Sequence, residues 1–528
     1  MPDLSTGVVV IGGGSTGAGV LRDLAMRGID AVLVEKGDLA SGTTGRSHGL
    51  LHSGGRYCVN DEAAAIECLE EGRILRRIAP STIEDTGGYF VSVTEEDTEW
   101  EPRFVEGCRK TGITCERISL DEARRREPAL SKHVRTAFWV PEDGHLDPFF
   151  LVLGNVESAR RRGAKVMTYT EVQGFLREGD QVSGVRVRDV ISGVETTIGC
   201  QAVINATGAW SGLVARLLGV EVKVVPMKGI MVVLSHRLAH AAINRCHKPG
   251  DGDIIVPALS VAILGTTAAK VSSPEELPIE WGEVRQMIDD GAMMLDGVTT
   301  ARAMRAYAGV RPLYDLGAEA EGREMSRNFA VIDHEQRDGV KGFTSIVGGK
   351  VTTYRLMAER VVDLVARRLG VTAACTTAQV PLDDKERPMD ELRHRPAALG
   401  VPKPHDGESP LQPLLCECEM VRPADVTPWL ADPAVRGLED IRRRTRSGMG
   451  PCQAAICSYR LAARLVTDRG LSGQAATAAM GDFLESRWRG VRHVFWGSQL
   501  RQAQVTSGLH LELFNLDRQL AMDRAVAS

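Results

Sequence analysis

The sequence predicts an α/β protein with a parallel sheet in its main domain and a mixed sheet in a second domain. Residues 8–35 have the pattern of an apolar strand, a glycine turn, a helix and a second strand. Two later apolar strands, at 202–204 and 343–347, also run into glycine turns, and the carboxyl ends of parallel strands are where such sheets receive ligands. Alternating strands between residues 222 and 311 predict an antiparallel sheet that carries a substrate.

The first glycine turn has the spacing of a dinucleotide site. Where a strand runs through such a turn into a helix, backbone N–H groups and the positive end of the helix dipole face a pyrophosphate. Gly12 is predicted to make the tight turn, Gly14 to let phosphate approach, and Gly17 to let helix and strand pack closely. Glu35 follows at the distance where an acidic residue binds ribose hydroxyls. The strand, helix and acid together favour this interpretation over a purely structural turn.

Two polar loops come after the second strand. The first contains Ser41, Thr43 and Thr44, whose hydroxyls are candidates for contacts with further phosphate oxygens, a solvated loop being the alternative. The second, residues 48–57, gathers two imidazoles, a guanidinium and a phenol among glycines that keep the backbone thin. This density of hydrogen-bonding groups indicates a binding site. Apolar residues at helical spacing then predict an amphipathic helix over residues 62–78.

Length and composition limit the class of protein. A chain of 528 residues is too long for one core and predicts about three or four domains. Hydrophobic content of 43%, charged content of 25% and a net charge of -5 are ordinary for a soluble globular protein, and no charge block suggests a nucleic-acid partner. The N-terminus lacks the pattern of an export signal, and no apolar run approaches ~18 residues, so we expect a cytoplasmic protein without a membrane span.

Four of the eleven cysteines form a pattern. The odd count without an export signal favours thiols or metal ligands over disulfides. Cys416 and Cys418 form one close pair, Cys452 and Cys457 form another, and 33 residues separate the pairs. Each pair is short enough to reach one metal centre. Four thiolates suit an iron–sulfur cluster or tetrahedral zinc.

The surroundings of the cysteines predict a separate module. Residues 381–413 are rich in Pro, Gly and charge and are predicted to be a linker. The arginine run just before the second cysteine pair is predicted to be a solvated face, and the alternative is that it docks an acidic partner: Arg442, Arg443, Arg444 and Arg446. Residues after 480 have a helical pattern and contain several aromatic side chains.

These stretches together resemble the FAD-dependent glycerol-3-phosphate dehydrogenases, most closely the A subunit of the anaerobic, quinone-linked enzyme. The resemblance covers nearly the whole chain and is carried by residues 11–17, 48–57, 205–210, 309–313 and 348–355 and by the cysteine module after residue 413.

The resemblance implies FAD, bound without a covalent link, in a Rossmann-like domain of the glycine and D-amino-acid oxidase type. The ADP part would lie on Gly12, Gly14, Gly17 and Glu35, with Ser41, Thr43 and Thr44 near the pyrophosphate. The flavin and its ribityl chain would lie near Gly208, Gly349, Lys350, Val351 and Thr352. A helix N-terminus at this second turn would stabilise the negative charge of reduced flavin.

The implied reaction is oxidation of sn-glycerol 3-phosphate at C2 to dihydroxyacetone phosphate, with hydride transfer to the flavin. Cations with several donors are needed for the phosphate, and the family pattern supplies Arg56, Arg311 and Arg327, together with Lys350, Tyr57 and His52. His52 is the predicted base for the C2 hydroxyl proton, and His48 is the alternative. Aerobic relatives carry an Asp after Gly-Thr-Thr where this chain has Ala268, so no contact of that Asp is carried over.

The cysteine module resembles the domain of bacterioferritin-associated ferredoxin (BFD), which implies a [2Fe-2S] cluster on Cys416, Cys418, Cys452 and Cys457 with zinc as the alternative. Electrons would pass from FAD through the cluster to partner subunits and a membrane quinone. Those partners, including a membrane-anchoring iron–sulfur subunit, would hold this chain at the inner face of the membrane. A related FAD oxidase of an amine or hydroxy acid, and an electron-transfer partner with a vestigial flavin site, are the competing interpretations.

The predicted domain order interleaves two domains and adds a C-terminal module. The predicted boundaries are 1–78, 146–221 and 326–380 for FAD binding, 79–145 and 222–325 for the substrate domain, 381–413 for the linker, 414–465 for the BFD-like domain and 466–528 for a helical C-terminal region.

Overall fold

The computed structural model describes residues 2–314, 328–382 and 414–516. Its helices, numbered in chain order, are α1 Ser15–Met26, α2 Glu62–Ile78, α3 Glu95–Thr111, α4 Leu120–Arg126, α5 Pro148–Arg160, α6 Ser211–Arg216, α7 Trp281–Met294, α8 His334–Asp338, α9 Tyr354–Arg368, α10 Pro423–Ala431, α11 Leu438–Thr445, α12 Cys457–Arg469, α13 Gly473–Val491 and α14 Ser498–Ser507. The strands are β1 Leu4–Ser5, β2 Val8–Ile11, β3 Ala31–Val34, β4 Leu50–Leu51, β5 Ile83–Glu84, β6 Gly88–Ser92, β7 Glu116–Ile118, β8 Thr136–Val140, β9 Gly144–Leu146, β10 Lys165–Met167, β11 Thr170–Glu178, β12 Gln181–Asp189, β13 Glu195–Gly199, β14 Ala202–Asn205, β15 Val224–Leu234, β16 Ala242–Arg245, β17 Ile254–Ala258, β18 Val261–Gly265, β19 Ala269–Lys270, β20 Ala303–Tyr314, β21 Phe329–Asp333 and β22 Phe343–Gly348.

The main domain is built on a six-stranded sheet in the order β10-β3-β2-β14-β22-β21. All neighbouring strands in it are parallel except the edge pair β21 and β22. Strand β2 is fully buried because it lies in the middle of the sheet with both faces covered. Helix α1 packs against α5 and α9 on one face of the sheet. This arrangement brings the carboxyl ends of β2, β14 and β22 to one edge, where the three predicted glycine turns meet.

The second domain is a nine-stranded mixed sheet. Its order is β19-β15-β18-β17-β16-β6-β8-β7, with β20 paired to β15 along its length. Strands β6, β7 and β8 come from residues 79–145, and the others come from residues 222–314, so two separate chain segments build one sheet. Strand β15 runs unbroken from Val224 to Leu234 and pairs with β20. Pro226 lies opposite Pro312 within that strand pair, and the pairing continues through both prolines.

The first predicted unit is confirmed at its strands, which are Val8–Ile11 and Ala31–Val34, and its helix ends at Met26. The amphipathic helix predicted at 62–78 is also confirmed. Two smaller sheets, β1-β13-β12-β11 and β4-β9-β5, complete the two domains. The linker predicted at 381–413 lies almost entirely outside the described residues. Within the described part of the chain, no helix is both long and apolar enough to cross a membrane.

The cysteine module is a cluster of helices α10 to α13 around a small apolar core. It contacts the main domain through the arginine run, so the prediction of a solvated face is wrong. Both Arg443 and Arg444 pair with the buried carboxylate of Asp38, Arg444 through two bonds of 2.8 Å. Arg446 binds Asp147, whose side chain caps the N-terminus of α5, at 2.8 Å.

Charge-assisted bonds explain why these arginines are buried. Burial acts to raise the pKa of Asp38, but hydrogen bonds and charge from Arg444 and Arg443 hold that pKa below its ordinary value. Both acidic partners lie some hundreds of residues away in the sequence, which is why the charge run alone did not reveal them. The arginines join the cysteine module to the loop that follows Glu35.

Candidate active site

One cavity of about 1290 Å³ lies where the main domain meets the mixed sheet. It exceeds the roughly 300–1,000 Å³ of an ordinary ligand pocket, which leaves room for a large cofactor and a second molecule. Of the predicted cofactor residues, those at its wall are Gly12, Gly14, Glu35, Ser41, Thr43, Thr44, Gly208, Gly349, Lys350 and Val351. Of the predicted substrate residues, those at its wall are His52, Arg56, Tyr57, Arg311 and Lys350. The predicted substrate residue Arg327 lies outside the described residues.

The nucleotide end of the cavity is formed by the N-terminus of α1. Its N-cap residue is Gly14, which has no side chain to cap the helix, and Gly14, Ser15 and Thr16 at the start of the helix line the cavity. Gly17 faces the turn rather than the cavity: a Cβ there would lie 1.9 Å from the carbonyl oxygen of Gly12. The backbone of the turn and of α1 can approach this closely only because residue 17 is glycine.

Glu35 holds the turn together at the same end. Its two carboxylate oxygens accept hydrogen bonds from the backbone N–H groups of Gly13 at 2.7 Å and Gly37 at 2.8 Å. Burial raises the pKa of Glu35, and these two bonds act in the opposite direction. The neighbouring Thr44 accepts from the backbone N–H of Ser15 at 3.0 Å, which places the hydroxyl loop against the start of α1.

The opposite end of the cavity is cationic. Arg311 projects from β20 and donates to the hydroxyl of Thr266 and, at 3.0 Å, to the carbonyl of Thr267. Gly229 on the neighbouring strand makes room for it, because a Cβ there would lie 2.7 Å from the Arg311 guanidinium. Lys350 lies with its ammonium 4.7 Å from the centre of the Tyr57 ring. Two cations from different domains therefore face one space.

His52 lines the same cavity, close to Tyr57 and His48. Its ring centre is 5.4 Å from that of Tyr57 and 5.8 Å from that of His48. Its backbone N–H donates to the hydroxyl of Thr352 at 3.3 Å. Thr352, predicted as a cofactor contact, is itself fully buried, so in the structure its side chain holds the His52 loop. The assignment of Thr352 to the cofactor stays a prediction.

His48 is in a different electrostatic situation. Burial, followed by the positive charges of Arg311 and Arg56, lowers the pKa of His48 to about 3. Its Nδ1 accepts a hydrogen bond from the backbone N–H of Leu50 at 3.0 Å. His48 is therefore neutral at physiological pH and does not change its charge near neutrality.

Sequence reasoning missed the partner of Arg56. The guanidinium pairs with the buried carboxylate of Asp253 at 2.5 Å, and His247 lies 3.4 Å from the same carboxylate. Lys248 from this loop also lines the cavity. These residues carry no motif in the sequence, and only the fold brings their loop to residue 56. That Arg56 binds phosphate stays a prediction. In the structure its positive charge is already paired with the carboxylate of Asp253.

Comparisons with known proteins agree with this geometry. The family model described as DAO, FAD dependent oxidoreductase, matches residues 7–355. The chain is 43% identical to the A1 subunit of the anaerobic glycerol-3-phosphate dehydrogenase of Haloferax volcanii, over 97% of this chain and 91% of that protein. It is 38% identical to the A subunit of the anaerobic glycerol-3-phosphate dehydrogenase of Escherichia coli K12, over 98% of each chain. The chain belongs to the FAD dependent oxidoreductases, among the anaerobic glycerol-3-phosphate dehydrogenase A subunits.

A solved structure supports the fold of this A-subunit family member. The glycerol-3-phosphate dehydrogenase of Bacillus halodurans, complexed with FAD, matches with a TM-score of 0.62 at 22% identity, over 97% of this chain and 95% of that one. The cavity residues from Gly12 to Val351 fall inside the FAD dependent oxidoreductase match, whereas the cysteine module lies beyond it.

In this A-subunit family member the four cysteines meet in two pairs. The thiol of Cys416 lies beside that of Cys457, and the thiol of Cys418 lies beside that of Cys452, close enough for the thiols of each pair to shift each other's pKa. Gly450 lies against Cys418, since a Cβ there would be 2.3 Å from the Cβ of that cysteine. Among the residues that the structure describes, no group of three or more His, Cys, Asp or Glu side chains is arranged to hold a metal ion.

Backbone N–H groups surround the thiols nonetheless. The pKa of Cys452 is lowered to about 6, chiefly by the neighbouring thiol of Cys418 and also by the backbone N–H groups of residues 454–456. Burial acts in the opposite direction. Gln453 and Ala454 both have left-handed backbone conformations, with φ of 51° and 75°. Successive N–H groups in such turns form concave sites that are common around phosphates and iron–sulfur clusters. Two thiol pairs beside such a turn fit a centre with two metal ions.

Proposed function

We propose that this chain oxidises sn-glycerol 3-phosphate to dihydroxyacetone phosphate, with FAD as the hydride acceptor. The observation that carries the proposal is the single cavity that joins a dinucleotide turn to Arg311 and Lys350. Relatives at 43% and 38% identity that are named as the A subunits of such dehydrogenases support it. FAD, when bound, accepts the two electrons and the hydrogen of the substrate C2–H bond as a hydride.

The cations bind the end of the substrate that does not react. A phosphate dianion in a site with little water needs several charge-assisted donors, and Arg311 and Lys350 supply them. Arg311 is held in place by Thr266 and Thr267, so its orientation is set before substrate arrives. Arg327 is the third predicted phosphate ligand, and Arg56 and Tyr57 complete the predicted substrate site.

His52 removes the proton of the C2 hydroxyl while the hydride leaves C2, which leaves a ketone. The ordinary pKa of an imidazole suits a base near neutrality. His48, the alternative, has a pKa lowered to about 3 and is a poor base at neutral pH. Thr352 holds the His52 backbone, and Tyr57 packs against the His52 ring. We assign proton removal to His52 and an uncharged structural contact to His48.

The cysteine module carries electrons away from the flavin in this proposal. Cys416, Cys418, Cys452 and Cys457 would hold a [2Fe-2S] cluster, which would supply the one-electron relay that zinc, without redox chemistry, cannot. Partner subunits then take the electrons to a membrane quinone and hold this chain at the inner face of the membrane. The names of the relatives as A subunits, and the two thiol pairs, support this path.

Replacing Arg311 by Ala is expected to impair use of the phosphorylated substrate. A charge-assisted phosphate contact contributes about 1.5–3 kcal/mol, so kcat/KM for sn-glycerol 3-phosphate should fall roughly ten- to a hundredfold. FAD content should stay at one per chain. The measurement is steady-state kinetics with an artificial electron acceptor, beside Arg285→Ala as control, since Arg285 is exposed and pairs only with its helix neighbour Asp289 in the described structure. An unchanged kcat/KM would exclude Arg311 from the site.

Replacing His52 by Asn is expected to slow flavin reduction and to remove an ionisation near neutral pH from its pH profile. The effect of a general base is about a hundredfold or more. His48 cannot supply the missing ionisation, because its lowered pKa keeps it neutral throughout the neutral range. Anaerobic stopped-flow measurements between pH 5 and 9 would test this, with the exposed His133→Asn as control. Persistence of the ionisation in His52→Asn would assign it to another group.

A further inference from the structure

A group of buried arginines lies beside the cysteine module, and the proposed reaction does not use it. Arg487 on α13 is 4% exposed, and its Nη2 donates to the side-chain oxygen of Gln453 at 2.8 Å. Arg305 on β20 donates to the same oxygen at 3.3 Å. Gln453 directly follows the predicted ligand Cys452, and its own amide donates to the backbone carbonyls of Met449 at 3.1 Å and Gly450 at 2.9 Å.

The charges in this group do not balance. Two guanidinium groups share one neutral acceptor, and the nearby Arg442 is bonded to Glu439 at 2.8 Å. Arg302, which donates to the carbonyl of Pro451 at 2.7 Å, is a further cation close to Cys418 and Cys452. Among the described residues, the Nε of Arg487 is a buried donor without an acceptor. Burial, followed by the charges of Arg305 and Arg442, lowers the pKa of Arg487 well below its ordinary value.

Buried positive charge of this kind needs a negative partner nearby. The charge of Glu439 acts on Arg305, Arg442 and Arg487, so one carboxylate faces three guanidinium groups. The four cysteines supply further negative charge nearby once they are thiolates on a metal centre. Cys457 is close enough to Arg487 for its charge to affect that arginine, and Cys418 and Cys452 affect Arg302. Gln453, which directly follows Cys452, joins both arginines to the backbone carbonyls of residues 449 and 450 just before that cysteine.

We propose that Arg305 and Arg487, positioned by Gln453, raise the reduction potential of the iron–sulfur centre. The proposal rests on the [2Fe-2S] cluster of the proposed function. Adding an electron makes such a cluster more negative, and a fixed cation in a buried site stabilises the more negative state. The two arginines therefore favour electron flow from the flavin to the cluster. Their role is electrostatic, because neither is a predicted ligand or a contact of the substrate.

Strand β20 connects the position of Arg305 to the cavity of the flavin site. Arg305 lies near one end of that strand, and Arg311 lies at the cavity six residues further on, about 20 Å at the usual rise per residue. Between them, Tyr307 donates to the backbone carbonyl of Ser47, which also lines the cavity. One continuous strand thus fixes the position of both centres.

The test is the midpoint potential of the cluster in purified, full-length variants. We expect Arg487→Met and Arg305→Met to keep iron and acid-labile sulfide and to lower the potential by about 59 mV, a tenfold change in the equilibrium constant for one electron. Arg487→Lys keeps the positive charge, so its midpoint potential should stay close to that of the unmodified protein. The control is Arg489→Met, because Arg489 is on the same helix but its side chain is 71% exposed, where water screens its charge.

The measurement is a redox titration followed by electron paramagnetic resonance, with iron and sulfide content determined on the same samples. The proposal would be overturned if Arg487→Met kept its iron and had the same midpoint potential as Arg489→Met. It would also be overturned if the midpoint potential of Arg487→Lys were as low as that of Arg487→Met. If Arg487→Met does not retain iron, Arg305→Met decides by the same criterion. Absence of iron and sulfide from the unmodified protein would instead contradict the iron–sulfur relay of the proposed function. Unchanged potentials with an intact cluster would contradict only the role of the two arginines.

Discussion

A Gly17→Ala variant is expected to purify almost without FAD. The added methyl group would lie 1.9 Å from the carbonyl oxygen of Gly12 and 3.0 Å from its carbon, and neither backbone atom can rotate away. The turn that faces the pyrophosphate must therefore shift. Overpacking of this kind costs about 1–3 kcal/mol, which corresponds to roughly a five- to 150-fold loss of affinity for FAD. Flavin absorbance per chain after gel filtration measures it.

The matched control for that variant is Gly473→Ala. Gly473 is the first residue of α13, and a Cβ there would meet nothing within 4 Å. This variant should keep its full flavin content. A Gly17→Ala protein with as much FAD as Gly473→Ala would mean that the turn after β2 does not hold the cofactor.

Cys452→Ser is expected to abolish the iron–sulfur cluster and leave the flavin in place. The thiol of Cys452 lies beside that of Cys418 and near the backbone N–H groups of residues 454–456, a setting in which a serine hydroxyl cannot replace it as a metal ligand. The flavin site lies in a different domain, so substrate should still reduce FAD. Electron delivery to a quinone through partner subunits should fail. The variant would therefore separate reduction of FAD by substrate from onward electron transfer.

Iron and sulfide assays, with electron paramagnetic resonance on the reduced protein, measure the effect of Cys452→Ser. The control is Cys375→Ser, because Cys375 lies in the main domain, where its thiol is bonded to the hydroxyl of Thr377 at 3.0 Å. One zinc per chain without sulfide in the unmodified protein would contradict the relay and make the module a structural zinc site.

Much of the main domain could be predicted from the sequence because its signals are local. The apolar strand, the glycine turn and the helix after it lie within residues 8–35, and each follows from periodicity and turn chemistry alone. The cationic end of the cavity was predicted only through the family resemblance. No periodicity indicates that Arg311 and Lys350 face one space, since the fold brings them together from a strand and a turn of different domains.

The features that the sequence did not reveal depend on contacts between distant segments. The arginine run looked solvated because its partners, Asp38 and Asp147, are remote in the chain. Asp253 was missed as the partner of Arg56 for the same reason. The family resemblance implies that Thr352 is a cofactor contact, but its burial and its bond to the backbone N–H of His52 depend on how two loops pack.

The central claim is that sn-glycerol 3-phosphate delivers a hydride to FAD in this cavity, and anaerobic flavin reduction tests it most directly. Protein purified without oxygen should lose its oxidised-flavin absorbance when sn-glycerol 3-phosphate is added, and unphosphorylated glycerol at the same concentration should leave the spectrum unchanged. The difference follows from the cationic end of the cavity, whose charge-assisted contacts require a phosphate that glycerol lacks. Full flavin content with no bleaching by sn-glycerol 3-phosphate, together with bleaching by an amine or a hydroxy acid, would contradict the account and favour an oxidase of that class.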